Sequence, residues 1–599
     1  MNTQTLYDLL DLMCIYGISA VAQNLLVGYA GIPAVAPTGF GAAGGYLAAY
    51  LALHDHWPTV AGLVVGVVVA CLVGFIMSVI AMRLSVEYVI LITIAFAIII
   101  IDVFSNFGPF GGAVGLVGLP ALRVFGQTLS STADIFPMLL IILALTYALI
   151  RMMGESGFGI LLRAIREDEQ AARAIGLRSV PAKVAAFVVA AGFAGLAGGL
   201  LVFTEAVANP TSFGFTQGIL VIAMLIIGGL GRPIGPLIGA VVVTAVPQIL
   251  QDAVNISATQ ASLLQEIIFG VCLVLIMLFR PRGILPERPS GMLRRLAARI
   301  APGGGAAAPA EPLSVPVARA AAEDVPAEPS PQVLAAVSLA KSFGGIEATA
   351  GFSFEVARGE IVGLVGPNGA GKTTLFNLLS GALRPDAGQV MFAADNITGL
   401  AMEDVVARGL ARSFQDVRLF TGLTVLENTY LAALPPQSAS FWRTLLLWRR
   451  VRQETADALG RAIGVLGRLG LADKAQSMAG DLSFGEQKLV AIARVVATGT
   501  TVLLLDEPTA GVGAEYGRKL REVIGRLHAD GATIVLIEHN LEVVRDLATR
   551  ILYMESGSVR AEGSFADLVA NPVLAESYFG SSHGTPPPGN LESATEGSR

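Results

Sequence analysis

Apolar residues run almost unbroken through nine stretches near the start of the chain: about 6–29, 38–53, 58–81, 86–106, 134–150, 184–206, 216–230, 233–250 and 263–280. Each is near the ~20 apolar residues a helix needs to cross a bilayer, with 38–53 and 216–230 on the short side. The pattern predicts a polytopic α-helical membrane domain of about eight to ten helices over residues 1–285. From residue 333 the character changes to that of a soluble domain, 333–580, in which apolar runs such as Ile361–Val365 and Val502–Leu505 lead into loops and helix-compatible segments. Between the two, 286–332 is rich in Pro, Ala and Gly and reads as a linker. The tail 581–599 has the same inability to bury a core.

Composition and charge sharpen this picture. The 599 residues are 54% hydrophobic and 14% charged, with mean hydropathy +0.66, whereas a soluble protein carries about 25% charged residues. No Lys or Arg precedes Arg83. Arg151, Arg163, Arg166, Arg173, Arg178 and Lys183 fall in one connection, and a second arginine cluster follows residue 280; the positive-inside rule makes both cytoplasmic. Parity then puts Arg83 and Arg232 inside and 54–57, 207–215 and 251–262 outside. The side of the N-terminus stays open, because 38–53 reads either as a full crossing or as a re-entrant piece. The first apolar segment lacks a basic leader and continues into more membrane, so it reads as a retained helix rather than a signal peptide. A net charge of −6 gives no reason to expect a nucleic-acid partner. Cys14, Cys71 and Cys272 are too few and too scattered for a disulfide framework or metal site. His54-Asp55-His56 reads as a wet loop. Gln23, Asn24, Asp102 and Glu205 are polar groups in or near lipid, as fitting for helix packing as for a pathway, and carry no assigned substrate role.

The soluble part holds the chemistry. Gly366-Pro367-Asn368-Gly369-Ala370-Gly371-Lys372-Thr373-Thr374 fits the phosphate-binding pattern of a glycine, four residues, then Gly-Lys-Ser/Thr. The apolar run 361–365 enters it and 375–379 leaves it, the strand–loop–helix context the motif requires. Glycines let successive N–H groups and a helix N-terminus face the phosphates of a nucleoside triphosphate, which the resemblance below makes ATP. Lys372 reaches toward the β- and γ-phosphates and the Thr373 hydroxyl toward Mg²⁺. Thr501–Pro508 is a buried strand ending in Asp506, suited to the Mg²⁺ shell, and Glu507, suited to polarise the attacking water.

Ahead of that strand, Asp481-Leu-Ser483-Phe484-Gly485-Glu486-Gln487 opens a helical run, and here the chain resembles the ABC-type ATPases, with Phe484 in place of the usual first glycine of their signature. The resemblance implies that Ser483, Phe484, Gly485 and Gln487 act in trans on nucleotide held by a second cassette. It also implies that Phe343 stacks on adenine, that Gln415 touches Mg²⁺ and water where the membrane domain docks, and that His539 is the switch residue near the γ-phosphate. After Glu507 the sequence departs from the family: Gly513 stands where an acid or amide is usual, which puts the ordinary cross-dimer contact in doubt.

The connection 154–176 resembles the coupling helix of ABC importers. Ala171, Ala172 and Gly176 match its Glu-Ala-Ala, three residues, Gly pattern, Gln170 replaces the acid, and Arg163 and Arg166 lie on the preceding turns. That loop, with Gly228–Ala240, is similar to permeases of the branched-chain amino-acid ABC importers; 412–428 and Glu576–Gly580 are similar to the same family's ATPase. The resemblance covers about 1–285 and 333–580. It implies a natural permease–ATPase fusion of the bacterial inner membrane, with an α/β P-loop ABC ATPase domain bearing a helical subdomain. It further implies a second permease–ATPase half, an extracytoplasmic solute-binding protein, and ATP-driven uptake of a branched-chain or similar amino acid. Relatives take urea, amides or aromatic acids. An exporter half fits less well, since its helices extend far into the cytosol, and a membrane-anchored ATPase without transport leaves the coupling-helix match unexplained.

Overall fold

In a computed structural model, residues 3–300 and 332–571 are described, apart from 125, 255–257, 281 and 282. All nine candidate segments are helical. They are α1 (Thr3–Asn24, continued by a π-turn over Leu25–Tyr29), α2 (Pro37–Leu53), α3 (Thr59–Ala81), α4 (Val86–Asn106) and α5 (Thr132–Glu155). Two short helices follow, α6 (Gly157–Glu167) and α7 (Glu169–Ala174), then α8 (Ser179–Glu205), α9 (Phe215–Gly228), α10 (Ile234–Val254) and α11 (Ala258–Phe279). Among the described residues, six helices are long and apolar enough to cross a membrane.

Small residues set how tightly these helices pack. A Cβ on Gly44 of α2 would lie 2.7 Å from the Cα of Gly195 in α8. One on Gly66 of α3 would lie 2.4 Å from the Gly44 carbonyl oxygen. The glycine runs therefore let α2, α3 and α8 pack mutually at near-backbone contact.

The end of α1 is tied to the face that carries α6 and α7. Asn24 Nδ2 donates to the Arg232 carbonyl at 3.0 Å, its Oδ1 accepts from Gly231 N at 3.1 Å, and Arg166 donates to the Gly28 carbonyl. The loops beyond α4 and α8 meet instead through two short antiparallel strands, β1 (Leu116–Val117) and β4 (Val207–Ala208), while β2 (Leu122–Val124) and β3 (Gln127–Leu129) form a separate antiparallel hairpin. With α2 a full helix, α1 and each later helix alternate direction. Residue 3 therefore lies on the face opposite α6 and α7, a question the charge pattern left open.

The span read as linker from 286 is not all tether. Gly291–Ile300 forms α12, with Leu293 and Ala297 buried against α5 and α17 (below), because its apolar residues recur at helical spacing. The rest of the linker, 301–331, and the tail lie outside the described residues.

The soluble part begins with β5 (Gln332–Phe343), β6 (Ile346–Ala357), β7 (Ile361–Val365), α13 (Lys372–Leu379), β8 (Ala387–Phe392), β9 (Asp395–Asn396), α14 (Met402–Arg408) and β10 (Leu410–Arg412). Four helices follow: α15 (Val425–Ala433), α16 (Phe441–Leu446), α17 (Trp448–Arg468) and α18 (Phe484–Ala497). The chain then returns through β11 (Val502–Asp506), α19 (Ala514–Ala529), β12 (Thr533–Ile537), α20 (Leu541–Leu547), β13 (Arg550–Glu555), β14 (Ser558–Gly563) and α21 (Phe565–Ala570).

By its contacts the chain divides into two compact units, Met1–Ala310 with Arg418–Thr498, and Glu311–Val417 with Gly499–Arg599. The helical segment α15–α18 thus groups with the membrane helices. The second unit holds a six-stranded sheet in the order β10-β11-β12-β7-β13-β14, parallel except for β14, and a four-stranded antiparallel sheet β6-β5-β8-β9. β7, β11 and β12 are buried at every position, as strands of a covered parallel sheet must be.

Candidate functional site

The phosphate loop leaves the C-terminal end of β7 and enters α13 through Gly371, at φ 99°. Side chains are excluded there: a Cβ on Gly371 would lie 2.1 Å from the Ala348 carbonyl oxygen, and one on Gly366 2.0 Å from that of Met554. Lys372 is buried, and its Nζ donates to the carbonyls of Gly366 (2.7 Å) and Pro367 (2.9 Å). Burial holds its ammonium below the usual lysine range, with Glu507 and Asp506 pulling the other way. Asn368, Gly369 and Thr373 are exposed, Ala370 is buried and Thr374 is half-buried.

Two strands away, β11 delivers Asp506, whose Oδ2 accepts from Arg412 Nη2 at 3.0 Å in a fully buried pair. Glu507 follows at φ 46°, a left-handed conformation that costs a non-glycine residue about 1–3 kcal/mol. Both of its carboxylate oxygens are engaged: Gln415 Nε2 lies 3.1 Å from Oε2 and His539 Nε2 3.1 Å from Oε1. The structure thus brings Glu507, Gln415 and His539 together. Phe343, at the end of β5, is 49% exposed, with Lys341 Nζ 5.8 Å from its ring centre.

In the other unit, Ser483 caps α18: its Oγ and N–H share the Glu486 carboxylate in a reciprocal capping box. Those hydrogen bonds hold Glu486 below the usual carboxylate range. Phe484 is exposed beside Lys488, Gly485 is buried, and Gln487 donates to the Leu482 carbonyl at 3.1 Å.

The short helices α6 and α7 form a seat for the segment 418–498. Both oxygens of Glu167 accept from Gly422 N at 3.1 Å. Burial raises this carboxyl above its ordinary range, partly offset by the Gly422 N–H. Arg418 Nη1 donates to Gln170 Oε1 at 2.8 Å and lies 3.5 Å from Asp168, which also caps α7 through Ala171 N. Arg494 donates to the carbonyls of Ala171 (3.1 Å) and Arg418 (2.6 Å), its guanidinium 4.4 Å from the Phe420 ring centre. Burial pushes Arg494 down to about 10, with Asp168 opposing, so it remains charged at neutral pH. Ala171 and Ala172 are buried in this seat and Gly176 takes φ 86° in the turn after α7. Arg163 and Arg166 turn the other way. Both meet Glu287, at 3.3 and 2.6 Å, and Arg163 also donates to Gly154 O and lies over the Tyr29 ring.

The profile of a family described as branched-chain amino acid transport system / permease component matches residues 5–277, and that of the ABC transporters matches 349–510. The high-affinity branched-chain amino acid transport ATP-binding protein LivG of Salmonella typhimurium is 36% identical over 252 residues, 42% of this chain and 99% of its own length. The chain belongs to the branched-chain amino-acid ABC transporter family. It joins that family's permease and an ABC ATPase domain in one polypeptide. The corresponding ATP-binding protein BraF of Pseudomonas aeruginosa is 32% identical over 249 residues, 41% of this chain and 98% of its own. A crystal structure of a nucleotide-free ATP-binding cassette from an ABC transporter aligns with 42% of this chain and 100% of its own at 30% identity, with a TM-score of 0.37.

Several residues of this transporter were not singled out by sequence reasoning. Glu167, Arg418 and Arg494 build the seat; Arg494, a lone arginine within Leu489–Ala497, was the one signal available. Glu427 accepts from Ser290 N at 2.7 Å while closing the capping box of α15, so it ties the start of α12 to that helix. Asp11 of α1 is fully buried, and neither carboxylate oxygen has a hydrogen-bond partner among the described residues. Of the polar groups noted from sequence, Gln23 donates to the Ala34 carbonyl and Asn24 holds the 231–232 turn, whereas Asp102 and Glu205 are exposed. A Cβ added at Gly513 would meet nothing within 4 Å among the described residues, so glycine is not demanded there by packing.

Proposed function

We propose that this chain is one permease–ATPase half of an importer that uses ATP hydrolysis to move a branched-chain or related amino acid across the bacterial inner membrane. In this reading 1–285 is the permease, 286–332 the connection and 333–580 the cytoplasmic cassette, and the N-terminus faces outward. The observation that carries it is the seat at Glu167, Asp168, Gln170 and Ala171. A permease loop engaging a cassette's helical segment through charge-assisted contacts is what mechanical coupling needs, and neither a passive anchor nor a free ATPase requires it.

Phe343 would stack on adenine, and residues Gly366 to Thr374 would cradle the phosphates with their N–H groups and Lys372. Thr373, Gln415 and Asp506 offer hydroxyl, amide and carboxylate oxygens, a hard donor set that fits Mg²⁺. When bound, Mg²⁺ neutralises phosphate charge. Glu507 would take the proton of the attacking water. Its engagement by Gln415 and His539 supports a resting state, in which arriving γ-phosphate draws those two donors away and leaves the carboxylate to the water. Ser483, Phe484, Gly485 and Gln487 would complete the site of a second cassette, so two such halves, identical or related, close on two ATPs. A solute-binding protein would deliver the amino acid to the outer face.

The test is uptake of labelled leucine, isoleucine and valine into proteoliposomes that hold ATP inside, with the neighbouring binding protein outside. Accumulation that needs both, and that Glu507→Gln abolishes while ATP stays bound, is expected. Binding-protein-independent movement out of the ATP compartment would sink the import reading, and uptake only of urea, amides or aromatic acids would replace the substrate.

A further inference from the structure

The stretch Phe441–Arg452, covering α16 and the start of α17, reads Phe-Trp-Arg-Thr-Leu-Leu-Leu-Trp-Arg-Arg-Val-Arg: four arginines, two tryptophans and no acid. Its apolar members are not core. Trp442 is 61% exposed, Leu446 70%, Leu447 48% and Trp448 52%. Trp442 and Leu446 stand one helical turn apart on α16, so they share a face, and Leu447 and Trp448 extend it. Arg449, Arg450 and Arg452 are exposed immediately beyond, with the Arg449 guanidinium 5.6 Å from the Trp448 ring centre.

The patch sits beside the end of a helix long and apolar enough to cross a bilayer. α16 packs against α5, and the Phe441 ring lies 5.9 Å from that of Phe158, three residues past the end of that membrane helix. The neighbouring α12, which packs on both α5 and α17, exposes Arg294, Arg295 and Arg299. Exposed Trp and Leu bordered by arginines at the end of a spanning helix is the pattern of an element lying in the headgroup zone, where indole rings prefer the interface and arginines meet lipid phosphates.

We propose that α16 and the start of α17 form a membrane-interfacial element. Trp442, Leu446, Leu447 and Trp448 enter the inner leaflet, and Arg449, Arg450 and Arg452 bind anionic phospholipid headgroups. The ATPase's helical segment is thereby held by lipid as well as by the α6–α7 seat, and the set of the bilayer enters the coupling. The charge selects the occupant: a polybasic rim fits an anionic lipid surface, whereas two copies of this patch face to face would oppose their arginines.

The full chain carrying Trp57→Phe retains only Trp442 and Trp448, and tests this in nanodiscs. In anionic lipid brominated near the top of the acyl chains, most of the tryptophan emission should be lost, and acrylamide should quench the remainder weakly. Emission unaffected by bromine and open to acrylamide overturns the proposal. Emission unaffected by bromine but shielded from acrylamide, with chain-to-chain cross-links from Leu446→Cys, overturns it in favour of a protein interface. The combined R449Q, R450Q and R452Q variant, altered only at exposed positions, should lose the stimulation of ATPase activity on passing from zwitterionic to anionic lipid. Stimulation equal to that of the unaltered chain overturns the headgroup assignment. Fluorescence reads these contacts whether or not the chain proves to be an importer.

Discussion

Arg494 offers the sharpest test of how the ATPase segment is held to the permease. It is buried, and it ties α7 to the start of its own segment by donating to Ala171 O at 3.1 Å and Arg418 O at 2.6 Å over the Phe420 ring. Arg494→Ala takes a donor from each carbonyl, about 1–3 kcal/mol apiece, and the ring contact adds about 0.5–2 kcal/mol. Only the Ala171 bond crosses the seat, since Arg418 and Phe420 belong to the same segment as Arg494; its loss of about 1–3 kcal/mol corresponds to about five- to a hundredfold in the docked-to-undocked ratio of the seat. Arg494→Lys keeps the charge but not the fork, so it reaches one carbonyl and recovers part of the loss. Reconstituted full-length protein should therefore lose substrate moved per ATP hydrolysed in the order Arg, Lys, Ala. Binding of a fluorescent ATP analogue should stay unchanged, because none of the phosphate-loop residues Gly366 to Thr374 belongs to the seat. An unaltered transport-to-hydrolysis ratio in Arg494→Ala would refute the coupling role assigned to this seat.

Three further outcomes follow from the same geometry. Gly44→Val forces a side chain where even a Cβ sits 2.7 Å from the Gly195 Cα; overpacking costs about 1–3 kcal/mol or more, so detergent-solubilised protein should melt earlier or aggregate on size exclusion, and an unshifted melt counts against the packing. Phe343→Ala should weaken ATP-analogue binding by about tenfold, the worth of one stacked base, without moving the melting point, since the ring is 49% exposed. Burial alone would raise Glu360, but hydrogen bonds from Arg550 and the Ala357 N–H outweigh it and hold this carboxyl below the usual range. Its contribution is therefore present above the unfolded value of 4.5 and fades as pH falls through the lower folded value. Glu360→Gln should flatten the acid limb of the stability curve below about pH 4.5, and an acid limb as steep as the parent's would show that the pair is idle.

Much of this organisation was legible because it rests on composition and local pattern. Long apolar runs declare membrane helices by length alone, and the phosphate loop declares itself because Gly366, Gly369 and Gly371 all take left-handed or similarly unusual backbone angles that other residues resist. The loop residues and the strand end at Asp506–Glu507 therefore needed no tertiary information. What stayed hidden depends on which side chain meets which across long separations. Glu167 is 255 residues from Gly422, and Arg494 is 323 from Ala171. Arg163 and Arg166 drew attention as charges on the coupling connection, yet they close on Glu287 and the end of α1. A charged residue's helix face is readable from sequence; its partner is not. α12 was missed for a related reason. Its ten residues follow a Pro-containing stretch and look like part of a polar linker, and only packing on α5 and α17 gives its narrow apolar stripe something to bury against.

Those contacts assign the two ends of the α6–α7 connection different tasks. Arg163 and Arg166, bridged by Glu287, fasten α6 to the start of the chain's exit from α11 and to the end of α1, so the helix moves with the permease. Glu167, Asp168, Gln170 and Ala171 face the ATPase segment and bind it through backbone groups of Gly422 and α7 as well as through Arg418 and Arg494. A Cβ on Gly422 would lie 2.5 Å from Glu167 Oε1, so any side chain there would push the Glu167 carboxylate off its present place. One face is tied to the membrane helices by ion pairs to Glu287, in which Arg163 is buried and Arg166 half-buried, and the other to the ATPase segment by hydrogen bonds of 2.8–3.1 Å, so under the proposed coupling this connection would transmit displacement rather than absorb it. Glu427, reaching from α15 to Ser290 N, adds a second tie through the segment that leads into α12. In a fused chain such a tie keeps the segment near its seat when the first releases, so the loss of either contact alone should uncouple the machine without separating its halves.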